Sequence, residues 1–499
     1  MASVTSRPAT RPSLSAFAGR VRRLPLPFVL VLVVAAIHGG AWAVAQAPLG
    51  GPDEANHVAY AQHLAEAGTG PYQGTGARTY SEELQLLVDR VQLGPLPGHR
   101  DARPLYSRLN DVRKQMDALP SAQRGVASGP NAVGNNPPLY YAYAALAYRL
   151  SPDTNLLSRI LVMRLATVLL FVALVAMTWM LAAELTSRLW VKTLAAGMVA
   201  LQPKVASMAG IVNPDMLLAT LSTASILAAV RLVRHGPQPG IVLGLGAVAG
   251  LTTVAHGRGF FVLFLLAVTA VVAWWRWRPA RGDLLRSLAL GAAPLLACLL
   301  GGYLYTRSHA VLGAFGGEVT QATEQHLSVS EFLSYVWQFY FGDLRSLTPM
   351  IGPPYGFRQV WIDSFYGSFG GLDVDYAPRV YDVLQVASVA GILLLLAVVV
   401  RRWEAVRQRL PIVLVLLAAL VGMLGLLHVA SYRDLQVSDD PLITGRYLFP
   451  CIALYGLAIA FVARSLPPRI GPAFGALLLA LSTLLSVGGL ADSVVRFYA

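Results

Sequence analysis

The feature that most limits what this chain can fold into is a succession of long apolar runs. Nine or more of them lie between Val29 and Val487, with much of the positive charge gathered in short stretches between them. A run of about 18 or more apolar residues is long enough to cross the ~30 Å hydrocarbon layer as a helix. So many runs in one chain imply an all-α polytopic membrane protein. The charge content agrees, since only 13% of residues are Asp, Glu, Lys or Arg, against about 25% in soluble domains. A soluble globular protein and a disordered chain are both excluded. The 45 glycines and 31 prolines follow no fixed period, which removes collagen-like and repeat architectures.

A net charge of +13 could suggest nucleic acid as a partner. Its placement argues against that. Arg20, Arg22 and Arg23 precede the first run; Arg276, Arg278, Arg281 and Arg286 lie between two others; Arg401, Arg402, Arg407 and Arg409 form a third cluster. Short basic loops of this kind fix topology by the positive-inside rule. Eleven spans are expected, near residues 24–47, 159–184, 191–209, 213–233, 241–256, 259–275, 287–305, 381–400, 410–430, 442–463 and 471–491. Ala45-Gln46-Ala47 is similar to a signal-peptidase site, but the apolar stretch before it is longer than the usual ~7–15 residues, and it reads as an uncleaved first span. The segment 137–150, opened by Pro137-Pro138 and ended by Ser151-Pro152, covers only ~21 Å. If it spanned, every basic loop after it would move outside, so it is expected to be juxtamembrane.

The expected organisation is a cytoplasmic basic tail at 1–25, a first span at 26–47 and an extracytoplasmic loop at 48–158. A transmembrane core at 159–305, a second outer loop at 306–380 and the final spans at 381–499 complete it. The N-terminus is expected in the cytoplasm of a cell whose cytoplasmic membrane the chain crosses, and the C-terminus outside. Within the second loop, Ser328-Val329-Ser330-Glu331 is a capping-box-like start to an aromatic stretch, Phe332 to Phe341, which predicts a helix along the membrane surface. The inner loops are too short to build a site, so any chemistry belongs to the outer face.

The sharpest local feature is Gly50-Gly51-Pro52-Asp53-Glu54-Ala55-Asn56-His57-Val58-Ala59-Tyr60, just after the first span. With Pro52 at a helix's first position, Asp53 and Glu54 occupy its positive end, which favours their ionised forms. Asp53, His57 and Tyr60 then share one face. A carboxylate beside a histidine at a membrane surface could act as general base or metal ligand, although acids at a helix start are also ordinary caps. Asp215, after Asn213-Pro214, is a second acid at an outer helix start. The basic groups of the same face are His256 and Arg258 in His256-Gly257-Arg258-Gly259, Arg446 with Tyr447 in Gly445-Arg446-Tyr447, and Lys204 after Gln202-Pro203. Arginine grips phosphate through two donors at once, though a single arginine at a span's end often only snorkels.

Several other signals carry less. Gly313, Gly316 and Gly317 are not ordered like a phosphate-cradling loop, and no Walker or Rossmann pattern is present. The glycines from Gly240 to Gly250 suggest close helix packing. His428 and Tyr432 anchor a span end, and Trp274, Trp275 and Trp277 form an interfacial belt. Cys298 and Cys451 lie inside apolar runs and read as core residues.

Taken together, these residues resemble the GT-C glycosyltransferases, membrane enzymes that use polyprenyl-phosphate-linked sugars, among them protein O-mannosyltransferases and lipid A aminoarabinose transferases. The matching features are Asp53-Glu54 after the first span, Asn135-Asn136-Pro137-Pro138-Leu139-Tyr140-Tyr141 at a helix start, and Asp215 in the second outer loop. The Pro-Asp-Glu-x-x-His and Gly-Arg-Tyr elements look closest to bacterial members. The resemblance implies an inverting transfer to an acceptor on a glycan, lipid or protein at the outer face, with Asp53 or Glu54 acting on the acceptor hydroxyl. It implies substrate contacts from His57, Tyr60, Asn136, Tyr140, Asp215, His256, Arg258, Arg446 and Tyr447, the arginines meeting the phosphate that leaves. Asn136 stands where the aminoarabinose transferases carry a lysine. Asp53, Glu54, His57 and Asp215 could between them hold one divalent ion, Mg or Mn.

The rival expectation is a transporter or flippase of a lipid-linked sugar. Transporters place ionisable groups near the bilayer midplane on paired repeats. The span centres here lack Asp, Glu, Lys and Arg, and no corresponding halves are visible.

Overall fold

The computed structural model describes residues 24–68, 79–91, 109–120, 131–308, 328–341, 356–370, 373–435 and 443–498. The expected basic tail up to residue 23, the glycines at 313–317 and the stretch at 436–442 lie outside them. Among the described residues the structure is helical, and the only strand-like pairing is a single bridge between Phe369 and Val374.

Helix α1 spans Leu26–Ala45 and opens after Pro25, whose fixed φ suits a helix start. The segment after it contributes α2 (Glu54–Ala67), α3 (Glu82–Val91), α4 (Leu109–Ala118) and α5 (Leu139–Arg149). The segment expected at 137–150 forms α5. At 11 residues it is about 17 Å long, and it packs on α2 and on the following helix.

Helix α6 (Leu156–Leu185) is capped by the Asn155 side chain, which accepts from Leu157 N–H at 3.1 Å. The stretch expected as one span at 191–209 is instead two helices, α7 (Leu189–Ala200) and α8 (Pro203–Ala209). The reason is local. Pro203 has no N–H to continue the ladder, and the Gln202 side chain caps α8 by accepting from Val205 N–H at 2.6 Å.

Beyond these run α9 (Asp215–His235), α10 (Pro239–Thr253), α11 (Phe261–Trp277), α12 (Arg281–Ser308) and α13 (Val329–Phe341). Helices α14 (Pro378–Arg401), α15 (Leu410–Asp434), α16 (Ile452–Ser465) and α17 (Ile470–Tyr498) complete the bundle. Among the described residues, nine segments are long and apolar enough to cross a membrane, and α7 and α10 are shorter apolar helices where the other two spans were expected.

The inner helices pair α1 with α6, α6 with α9, α7 with α16, α10 with α12 and α11 with α15. Gly246 shows how closely: a Cβ there would lie 2.0 Å from the Gly291 carbonyl oxygen of α12. Outward faces stay apolar, as in Leu285, Leu296 and Leu300 of α12 and Val383, Val386 and Leu393 of α14. A bilayer, unlike water, solvates them without penalty. Helix α13 turns Tyr335 and Phe339 inward and leaves Val329, Leu333, Trp337 and Phe341 exposed at four-residue intervals. His428 of α15 holds it, bonding the hydroxyls of Tyr335 at 3.1 Å and Tyr340 at 2.8 Å.

Candidate active site

The chain leaves α1 through a tight turn that sets up everything after it. Helix α2 begins at Glu54, and Asp53 is its N-cap in the left-handed region, at φ 55° and ψ 15°. Pro52 therefore precedes the helix rather than occupying its first position, and Asp53 is not part of the first turn. Aspartate enters this region more readily than most residues, and a strained backbone position is often held at functional sites. The Asp53 side chain makes no capping bond and is exposed. Its field acts on Tyr80, Tyr141 and Arg446.

Glu54 behaves in the opposite way. It is 1% exposed, and its carboxylate accepts from Arg164 Nε at 2.8 Å and Nη2 at 2.7 Å, from Val212 N–H at 3.0 Å and from Gly51 N–H at 3.1 Å. Arg164 uses its remaining N–H groups on the last carbonyls of α1 and the turn beyond: Ala43 at 3.2 Å, Gln46 at 2.8 Å and Ala47 at 2.6 Å. This pair ties α1, α2, α6 and the loop before α9 into one unit. Arg164 was missed by the sequence reading. The signal that could have found it is a lone charge a few residues inside an otherwise apolar run, since ionisable groups in spans rarely lack a role.

A second buried pair lies at the start of α9. Asp215, 2% exposed, takes its helical position because its N–H donates to Asn213 Oδ1 at 2.9 Å. Its Oδ1 accepts from Arg258 Nη2. Arg258 comes from the short 3₁₀ turn Gly257–Phe260, capped by the His256 ring, whose Nδ1 accepts from Arg258 N–H at 3.1 Å. The guanidinium stacks over Tyr447 with its carbon 4.1 Å from the ring centre, and Arg446 lies 5.4 Å from the same ring. Three buried atoms here have no hydrogen-bond partner among the described residues: Asp215 Oδ2, Arg258 Nη1 and Arg446 Nη1.

Arg446 is brought in by the turn Gly445–Cys451 that opens α16. Gly445 is required there. A Cβ would fall 2.6 Å from the Val360 carbonyl and 2.7 Å from Phe365 N. The π-turn Gln359–Asp363 thus presses on the backbone that carries Arg446.

His57 connects the two pairs. Asn213 Oδ1 is taken by Asp215 N–H, so Asn213 Nδ2 faces His57 Nε2 and donates to it at 3.2 Å. The proton is therefore on Nδ1, which donates to the Tyr141 hydroxyl at 2.8 Å. Tyr141 also accepts from Asn136 Nδ2 at 3.0 Å and stacks on Tyr60 at 3.8 Å between ring centres. Burial first, with Arg446 and Arg258 adding and Asp215 opposing, lowers His57 to about 3, so the ring is neutral. Burial and the adjacent Arg258 hold His256 neutral as well. Tyr140 bonds Thr167 at 2.9 Å inside the core and lies edge-on to Tyr141.

Lys204, on α8, is 2% exposed and donates to the Ser368 carbonyl. Burial and the charge of Arg446 lower it to about 7, against the pull of Asp375 and Asp215. The four residues considered for a divalent ion do not converge. Glu54 is saturated, both His57 nitrogens are bonded, and no three His, Cys, Asp or Glu side chains come together as a metal site among the described residues.

Fold and site together define an all-helical integral membrane protein with a buried polar cluster gathered at one end of its helices. The chain belongs to the family described as predicted membrane protein (DUF2142), whose profile matches residues 36–455. Its fold is similar to that of GT-C glycosyltransferases. It is similar to the Archaeoglobus fulgidus oligosaccharyltransferase in its apo form, with a TM-score of 0.51 and 13% identity over 94% of this chain and 56% of that one. The chain thus spans a little over half the length of that enzyme. It is also similar to ArnT from Cupriavidus metallidurans bound to undecaprenyl phosphate, with a TM-score of 0.46, 15% identity, and coverage of 94% of this chain and 74% of that one. The S. cerevisiae protein O-mannosyltransferase Pmt1-Pmt2 complex bound to the sugar donor gives a TM-score of 0.35 and 14% identity over 72% and 43% of the two chains. No curated protein matches in sequence.

Proposed function

We propose that the chain is an inverting glycosyltransferase of the cytoplasmic membrane. It would move a sugar from a polyprenyl-phosphate donor to a hydroxyl acceptor at the outer face, with the N-terminus in the cytoplasm. The observation that carries this reading is the trio of buried, unpartnered polar atoms on Asp215, Arg258 and Arg446. Two open guanidinium nitrogens, on arginines that share the Tyr447 ring in a dry site, fit a phosphate oxygen, and burial makes each contact stronger than it would be in water.

In this reading Asp53, whose carboxylate accepts no hydrogen bond from a described residue, is the base that takes the acceptor proton. The freed oxygen forms its bond to the anomeric carbon as the carbon–oxygen bond to phosphate breaks on the opposite face. The electron pair leaves on the phosphate, where Arg258 and Arg446 meet it. Tyr447 holds Arg258 flat, and Tyr60 with Tyr141 offers a stacked aromatic wall. Glu54 is assigned to positioning, because all its capacity is spent on Arg164 and two backbone N–H groups. The position of the unpartnered atoms at helix ends, rather than at helix centres, favours transfer over transport.

The test is release of free polyprenyl phosphate from a polyprenyl-phosphate-linked hexose by the purified chain in lipid nanodiscs. Asp53→Asn is expected to slow release by about 10²–10⁴-fold, the usual contribution of a positioned base. Undiminished release by that variant would overturn the assignment of Asp53.

A further inference from the structure

At the opposite helix ends a second charged region has no part in the proposed reaction. A recess of about 500 Å³ opens between the end of α6, the starts of α7 and α15 and the ends of α9 and α16. Lys192, Arg234, Arg409 and Arg464 line it, with Glu184 as the one acid in its wall. Glu184 cannot balance them, because it is already engaged by Arg231 at 2.8 Å, His235 at 3.0 Å and Arg234 at 3.1 Å. Arg409 is held in place by donating to the Leu185 carbonyl at 3.0 Å. The side chains of Lys192 and Arg464 have no hydrogen bond or ion pair with any described residue, and Arg464 sits within the repulsive fields of Arg188, Arg402 and Arg409.

The backbone adds to this charge. Helix α7 starts at the recess, its N-cap is Arg188 with no side-chain cap, and no acid occupies its first turn. Its first N–H groups are therefore open, and a helix start of this kind attracts anions. The walls are not wholly polar, since Leu185 and Ile412 share them. Exposed tryptophans, Trp274, Trp275, Trp277 and Trp403, mark the same end of the bundle, and such rings settle at headgroup depth.

We propose that this recess binds a phosphate-bearing anion, supplied in the membrane by the headgroup of an anionic phospholipid. Simple topology-setting charge would need no cavity and no convergence of unpaired cations on an uncapped helix start. The site is separate from the polar cluster at the other helix ends, and it stands or falls independently of glycosyl transfer.

The full chain in delipidated form would be titrated with phosphatidylglycerol, phosphatidylcholine and inorganic phosphate, with bound species counted by native mass spectrometry. Phosphatidylglycerol should bind more tightly than phosphatidylcholine. The double variant Lys192→Gln, Arg464→Gln should weaken it about 30-fold, from the usual contribution of each basic residue near an anionic surface. The charge-preserving pair Lys192→Arg, Arg464→Lys should retain binding. Removing the same charge from the start of α12, with Arg281→Gln and Arg286→Gln, should leave it unchanged. Occupancy by inorganic phosphate alone, lost in the same double variant, would support the site but make free phosphate its ligand. Equal binding of both lipids with no phosphate bound would overturn the proposal, and so would equal weakening by the two double substitutions.

Discussion

Two carboxylate–guanidinium pairs are buried near the same end of the bundle, and they differ in how fully they are bonded. Arg164 places all five of its N–H groups, two on Glu54 and three on carbonyls of Ala43, Gln46 and Ala47. Glu54 takes two further backbone donors. Around Asp215 and Arg258 the bonding stops short, and with Arg446 three polar atoms are left open. An unpaired buried polar atom costs about 1–3 kcal/mol, so a fold keeps several in one place only where something else completes them. In the proposed reading the closed pair is architecture, and the open one receives the ligand.

The sharpest way to break that comparison is to neutralise each acid in turn. Glu54→Gln leaves Arg164 charged and buried with poor compensation. Losing one partner of such a pair typically costs about 3–5 kcal/mol. Thermal unfolding of the purified protein should show a large drop for Glu54→Gln and a much smaller one for Asp215→Asn, which already has an oxygen without a partner. Equal drops would mean that both pairs are structural.

Next in size is Arg446→Gln. If the open guanidiniums receive the charge that develops on the leaving phosphate, removing one should lower transfer by about 10²–10³-fold, as for a lost oxyanion donor. The melting temperature should stay near that of the unaltered chain, because Arg446 Nη1 has no partner to lose. Melting at a lower temperature with activity retained per folded molecule would move Arg446 to the structural side of the comparison.

A smaller effect is expected from Tyr141→Phe, which acts on both regions at once. Its hydroxyl accepts from His57 and Asn136, and through His57 and Asn213 it fixes the start of α9 that carries Asp215. Two donors would lose their acceptor, costing roughly 1–3 kcal/mol. As a positioning residue, Tyr141 should alter kcat more than KM. A variant with unaltered melting and unaltered kcat would remove this link.

How much of this was readable beforehand follows from the range of the forces involved. The spans were legible because lipid imposes a rule on every run of some twenty residues, and the short α5 was legible from the prolines that bound it. The break at Gln202-Pro203 was visible as a proline, but whether α7 and α8 would be one helix or two depended on a side-chain cap. Asp53, Asp215, Arg258 and Arg446 were picked out by their places at helix ends. The separation of Asp53 from Glu54 could not be read, because neighbours in sequence went to opposite environments when Asp53 took a left-handed conformation. The partner that decided Glu54's part, Arg164, lies 110 residues away, and no local pattern joins them.

The smallest effect tests whether Lys204 belongs to the open cluster. Its ammonium is lowered to about 7 by burial and by Arg446, so it is charged at pH 6 and largely neutral at pH 9. His57 and His256 are held neutral by burial, and a donor phosphodiester keeps one negative charge over this range. Binding that anion should favour the protonated lysine, and by linkage affinity must then fall as pH rises through 7. A rise of about one unit in the lysine's pKa on binding corresponds to roughly tenfold weaker binding at pH 9 than at pH 6. The sign for stability runs the other way: a lysine lowered on folding binds fewer protons than the unfolded chain between about 7 and its ordinary range, so the unliganded fold gains stability as pH rises there. Donor affinity and melting temperature should therefore move in opposite directions with pH, and Lys204→Gln should flatten both. A titration that survives in that variant would place its source elsewhere in the chain.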